Sequence, residues 1–193
     1  IHPTVLAFIQ KNREKLNGSA SDDGQSSFST PRTWVAVSDK LRMLDKMKAD
    51  RGESLVKKSP LIHNVIMQIV PDNGHSFVAF HDKGARLKTP DQYLLGKEPM
   101  PNYQTESELF ILSVYSMLPE FLHDFDKYKD TYSKVLNSAS EGQANFIVTL
   151  LINEYKDQLM ASVKAATNKD FIYKVLAPLS AKHCRVNINE GDF

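Results

Sequence analysis

A recurring local pair constrains this 193-residue chain more than any other feature. Four times a capping residue stands directly before proline, with apolar residues at steps of three and four beyond it: His2-Pro3, Thr30-Pro31, Ser59-Pro60 and Thr89-Pro90. A Ser or Thr oxygen can accept from the open amides of a first helical turn. Proline is tolerated at the first helical position because the N–H it lacks has no partner there. Each pair therefore predicts a helix start. Two further starts read as capping boxes, Thr105-x-x-Glu108 and Ser140-x-x-Gln143.

The apolar spacing between these marks is helical. Trp34, Val37, Leu41 and Leu44 follow Pro31, and Leu61, Val65, Ile66 and Ile69 follow Pro60 until Pro71 stops them. Leu109, Leu112, Tyr115 and Met117 follow Thr105. A long stripe, Phe121, Phe125, Tyr128, Tyr132, Val135 and Leu136, follows Pro119 and reads as one run. Phe146, Leu150, Leu151, Tyr155 and Leu159 form a further stripe, and Phe171, Ile172, Val175 and Leu179 the last. Sustained alternation and Asn-Gly or Asp-Gly hairpin pairs are lacking. The expectation is an all-α chain of about eight or nine helices. Breakers are expected at Asn17–Ser27, Lys48–Ser54 and Leu95–Thr105, with an irregular terminus over "NINEGDF". The Asn17–Ser27 loop, without an apolar anchor, is expected to be the most mobile internal segment.

Composition narrows the function classes. Hydrophobic residues at 41% and charged residues at 24% fit a packed globular chain rather than a disordered one. No apolar run reaches the roughly 18 residues of a membrane span, so no membrane partner is expected. A net charge of +1 is not that of a broadly basic nucleic-acid coat. Between Lys11 and Lys58, eleven Lys and Arg stand against seven Asp and Glu, a local surplus of four. That region is the one to meet an anion, unless it is an ordinary solvated helix face. A single cysteine, Cys184, excludes an internal disulfide framework and points to a reducing, cytoplasmic compartment. The chain opens on Ile1 inside a helical pattern, which leads us to expect a piece of something longer.

Catalytic patterns fail one after another. Gly96-Lys97 is followed by Glu98 and lacks the earlier glycine of a phosphate loop, and dinucleotide and nucleophile-elbow patterns are absent. The six histidines include no H-x-x-x-H pair, so no metal ligands and no catalytic residues are assigned within the chain. One local oddity is left. "FSTPRTW" opens a helix with Thr30 as cap, and Arg32 falls in the first turn. A cation there opposes the helix dipole. Open amides beside a guanidinium are what a phosphate oxygen prefers, so Arg32 suits a visiting anion, the alternative being a tolerated surface arginine. Trp34, the one tryptophan, reads as a core anchor for the same helix.

"IHPTVLAFIQKNREKL" followed by "FSTPRTWVAVSDKL" resembles the C-terminal part of MoxR-type AAA+ ATPases, which carry a "HPxxLAFL" helix and then an "F-x-TPR-[ST]-W" helix. "NVIMQIVPDNGHSFVAF" matches more loosely, with Pro71 where the family has a glycine, and "LKTPDQYLLGK" resembles a later family element. The resemblance covers about residues 1–97 and implies a helical lid bundle there, with 98–193 as a C-terminal helical extension. It further implies that Arg32 is a sensor-2-type arginine reaching the γ-phosphate of ATP, with Thr30 as the helix cap and Thr33 beside it in the nucleotide-contacting turn. ATP and Mg would belong to the intact protein, none being bound by this piece alone. The phosphate loop and acidic metal-binding motif would lie in a missing N-terminal nucleotide-binding core. The intact protein would act as a chaperone-like remodeller of a protein substrate, with a ring oligomer possible.

Two alternatives belong to other classes. One is a non-enzymatic helical protein-interaction module that uses the stripe Phe121, Phe125, Tyr128 and Tyr132. The other is a nucleic-acid binder that uses Lys40, Arg42, Lys46 and Lys48, which the interleaved Asp39, Asp45 and Asp50 disfavour.

Overall fold

The computed structural model describes residues 1–17, 29–51, 60–166 and 169–184. Among these, every regular element is helical. The α-helices are α1 (Pro3–Lys11), α2 (Pro31–Arg51), α3 (Pro60–Ile69), α4 (Gly74–Lys83), α5 (Pro90–Leu94), α6 (Ser107–His123), α7 (Phe125–Ser138), α8 (Glu141–Asn153), α9 (Lys156–Ala165) and α10 (Ala177–Leu179). Short 3-10 turns cover Arg13–Leu16 and Gly84–Arg86, and α10 is flanked by wider π turns over Phe171–Leu176 and Ser180–Cys184. The all-α expectation holds. The chain divides into two compact units, Ile1–Leu87 and Lys88–Phe193. The motif-based boundary after Lys97 therefore falls inside the second unit, beyond α5.

A helix begins at each of the four prolines, Pro3, Pro31, Pro60 and Pro90, while Ser59 lies outside the described residues. Thr89 adds a box of its own, its backbone N–H donating to the Gln92 side chain at 3.0 Å. The Ser140–Gln143 box forms as read, with reciprocal bonds of 3.0 and 3.4 Å. Three expectations are corrected. The Thr105–Glu108 box does not form: α6 starts at Ser107 behind Glu106, because the Asn102 side chain already takes the amides of Gln104 and Thr105 at 2.8 and 3.1 Å. The stripe after Pro119 is not one run: Pro119 lies inside α6, exposed, and a break at Asp124 leaves Phe121 on α6 and the residues from Phe125 on α7. The breaker expected from Lys48 begins later, because α2 continues to Arg51. Residues 18–28, most of the expected mobile loop, lie outside the described residues, as does the "NINEGDF" end.

The first unit closes around four aromatic rings from three helices. Phe8 lies 5.4 Å from Trp34, 5.2 Å from Phe77 and 5.4 Å from Phe80, and Trp34 lies 5.4 Å from Phe77. Tilted and edge-on contacts at this spacing suit the ring quadrupoles. The Trp34 indole N–H donates to the Lys15 carbonyl at 2.9 Å, so its one polar atom is satisfied inside the core. Gly74 opens α4 hard against α3: a Cβ there would lie 2.8 Å from the Met67 Cα.

The second unit is built on α6, whose residues 109–115, together with Met117, Leu118, Phe121 and Leu122, are all buried. Two turns buried all round, from Leu109 to Tyr115, must be wrapped by others, and only the later stripe with Pro119 and His123 is exposed. The aromatic stripe of α7 (Phe125, Tyr128, Tyr132) points inward, with Phe121 4.7 Å from Tyr132 and 5.2 Å from Phe171.

Candidate functional site

The start of α2 is held from three directions. Thr30 and Thr33 cap each other: the Thr30 N–H donates to Thr33 Oγ1 at 2.7 Å, and the Thr33 N–H to Thr30 Oγ1 at 3.2 Å. The Thr33 hydroxyl in turn donates to the Thr30 carbonyl at 2.9 Å, so its single proton is engaged within the turn. One residue earlier, the fully buried Ser29 donates its N–H to both Asp72 carboxylate oxygens at 3.1 and 3.2 Å, and its hydroxyl to Asp72 Oδ1 at 2.7 Å. Asn73 Nδ2 donates to Ser29 Oγ at 2.9 Å and to Asp72 Oδ2 at 3.0 Å. One turn on, Trp34 is buried in the aromatic core.

Further along α2, the helix is tied to the chain start. The His2 N–H donates to Ser38 Oγ at 2.7 Å, and Nε2 lies 2.8 Å from Asp45 Oδ2. His2 Nδ1 accepts the Thr4 amide at 3.1 Å, capping α1, which suits the tautomer with its proton on Nε2. The two segments that carry the family resemblance thus meet each other through His2, Phe8, Trp34 and Ser38.

Arg32 is the exception. Its side chain is exposed on the first turn of α2, and among the described residues it makes no hydrogen bond or ion pair. That first turn holds no acidic residue. The turn also offers fewer open amides than its sequence suggests. Pro31 has none, the Thr33 amide is held by Thr30 Oγ1, and the Trp34 amide donates to the Thr30 carbonyl at 3.0 Å. What this helix end presents to an anion is chiefly the guanidinium.

The other candidates sort differently. Lys40, Arg42 and Lys46 are exposed on α2 beside exposed Asp39, while Asp45 is engaged with His2. The stripe Phe121, Phe125, Tyr128 and Tyr132 is core, so it offers no surface to a partner and cannot carry the interaction-module alternative. Among the described residues, no group of three or more His, Cys, Asp or Glu could hold a metal, and no helix is long and apolar enough to cross a membrane. The Cys184 side chain lies outside the described residues.

Sequence reasoning missed the part played by Asp72 and Asn73. The only local signal was a Pro-Asp-Asn-Gly run of turn-forming residues. Its partner lies 43 residues away, beyond the reach of any spacing rule. Comparison with known protein families, curated proteins and solved structures found no match to this chain.

Proposed function

We propose that this chain is the C-terminal helical lid, with a helical extension, of a MoxR-like AAA+ ATPase, and that Arg32 contacts the γ-phosphate of ATP in the intact protein. One observation carries the proposal. At the start of α2, Thr30, Thr33 and Trp34 each have a packing or capping task, as do His2 at the start of α1 and Ser38 farther along α2, while Arg32 has none among the described residues. It is nevertheless presented on a firmly held turn, at the helix end where a cation costs a few tenths of a kcal/mol. A phosphate arriving there turns that cost into a charge-assisted contact.

In this proposal an N-terminal core supplies the phosphate loop, the Mg ion and the acidic residue that holds it, since phosphoryl transfer needs charge neutralisation from several sides. Arg32 adds one cation and links the angle of the lid to the presence of the γ-phosphate, a closure biased by ligand. The intact ATPase would remodel a protein partner in the cytoplasm, assembled as a ring, and the piece described here would hydrolyse no ATP by itself.

Arg32→Ala in the full-length protein tests this. A charge-assisted contact is worth about 1.5–3 kcal/mol, so ATPase rate or nucleotide affinity should fall roughly ten- to a hundredfold while the melting temperature stays put. Arg32→Lys should recover part of the loss, keeping the charge but not the planar fork. A lowered melting temperature with normal ATPase activity would make Arg32 structural and end the proposal. The residues encoded before Ile1 give an independent check, because the proposal needs G-x-x-x-x-G-K-[ST] among them.

A further inference from the structure

We infer that Asp72 is the positioning residue for Arg32, an inference that rests on the lid proposal above. The turn between α3 and α4 is held by contacts of its own. The Asn73 N–H donates to the Val70 carbonyl at 3.1 Å, the Asn73 carbonyl accepts the Phe77 amide at 2.9 Å, and Gly74 abuts Met67. From this base the Asp72 carboxylate takes both donors of Ser29, and Asn73 Nδ2 bridges the Asp72 carboxylate and the Ser29 hydroxyl. Ser29 immediately precedes the cap Thr30, and Arg32 lies three residues beyond it.

The Ser29 clamp fixes the direction in which α2 leaves the α3–α4 turn. The Thr30–Thr33 pair alone fixes only the local shape of the first turn, not where it sits. Arg32 cannot hold its own place, having no partner among the described residues. A guanidinium that must reach a phosphate from an exposed turn is useful only if the turn beneath it does not wander. Asp72 supplies that constraint without touching the nucleotide. Its acceptors also match the site: a carboxylate bonded by a backbone N–H and a hydroxyl makes charge-assisted bonds, firmer than the neutral bonds of the cap.

The test is a double-mutant cycle on ATPase activity in the full-length protein, with melting temperature followed for each variant. Asp72→Ala should lower kcat by about tenfold, the scale of a catalytic group shifted by a fraction of its length. Asp72→Asn keeps an acceptor for the Ser29 N–H and should retain most activity. In an Arg32→Ala background, Asp72→Ala should cost less than about twofold more, because a residue acting through Arg32 has nothing left to act on. A full further loss in that background would overturn the inference, and so would wild-type activity of Asp72→Ala where Arg32→Ala is impaired. If Asp72→Ala does not fold, Ser29→Ala takes its place in the same cycle, with the same outcomes expected. If Arg32→Ala itself leaves ATPase activity unchanged, the lid proposal falls and the positioning role falls with it, an outcome distinct from the other two.

Discussion

The two units solve the same packing problem in opposite ways. In the second, one helix is buried all round from Leu109 to Tyr115 and over most of its later turns, and the aromatic residues Tyr132 and Phe171 turn inward onto it. In the first, no helix is central. Its rings come from α1, α2 and α4, and polar bonds from His2, Ser29, Asp72 and Asn73 fix how those helices meet. A unit organised around one apolar helix needs little but volume. A unit held by a few directional bonds can instead place a surface group accurately, and Arg32 is such a group.

The largest expected effects test the cores directly. Phe121→Ala in the second unit and Phe8→Ala in the first should each cost about 3–5 kcal/mol, as truncations of fully buried aromatics do. Urea unfolding of both variants should show it, and a loss under 1 kcal/mol for Phe8→Ala would mean that the polar bonds, not the rings, hold the first unit. Gly74→Ala comes next. Its Cβ meets a backbone atom, Met67 Cα, rather than a side chain that could swing away, so α3 and α4 must shift, at about 1–3 kcal/mol. A neutral Gly74→Ala would show that the α3–α4 turn yields readily to an added methyl group. Tyr132→Phe should go the other way. The Tyr132 hydroxyl is buried with no partner among the described residues, and burial pushes its phenol pKa well above the ordinary value. Removing an unsatisfied hydroxyl should therefore stabilise, by about 1 kcal/mol. A destabilised variant would point to a bound water.

The smallest effect concerns pH. Hydrogen bonds from Lys127 (2.9 Å) and Tyr128 (2.8 Å) hold the Asp91 carboxyl below the usual carboxylate range. A lowered folded-state pKa gives stability that is present above the unfolded pKa, about 3.9, and lost as the pH falls through the folded value. Because the Asp91 side chain is still 40% exposed, solvent screens the contact and the loss should be slight. Thermal melts between pH 5 and pH 2 should show it flattened in Asp91→Asn. An unchanged slope would mean that the tie from α5 to α7 adds nothing.

Legibility from sequence followed the range of each interaction. Pro31, Pro60 and Pro90 mark helix starts by rules acting within four residues, and the structure agrees at each. The stripe after Pro119 divides at Asp124 instead, because a proline can lie inside a helix when it faces outward, and nothing local shows that α6 runs through it. The terminal stripe from Phe171 was legible as helix but not in pitch, since Phe171, Ile172, Val175 and Leu176 stay buried on a π turn as they would on an α turn. Arg32 was picked out by its conflict with the helix dipole, a local property. Asp72 was not, because its importance lies wholly in a contact across 43 residues.

Trp34 carries one further consequence, an optical one. It is the only tryptophan in the chain, it stands two residues from Arg32, and it is sealed against Phe8 and Phe77 with its indole N–H bonded inside. Its emission should therefore be blue-shifted in the folded protein and should report on the first unit alone. Far-UV circular dichroism, by contrast, sums over the helices of both units. A single unfolding titration read by the two signals thus separates the unit that presents Arg32 from the one that does not, with no label added.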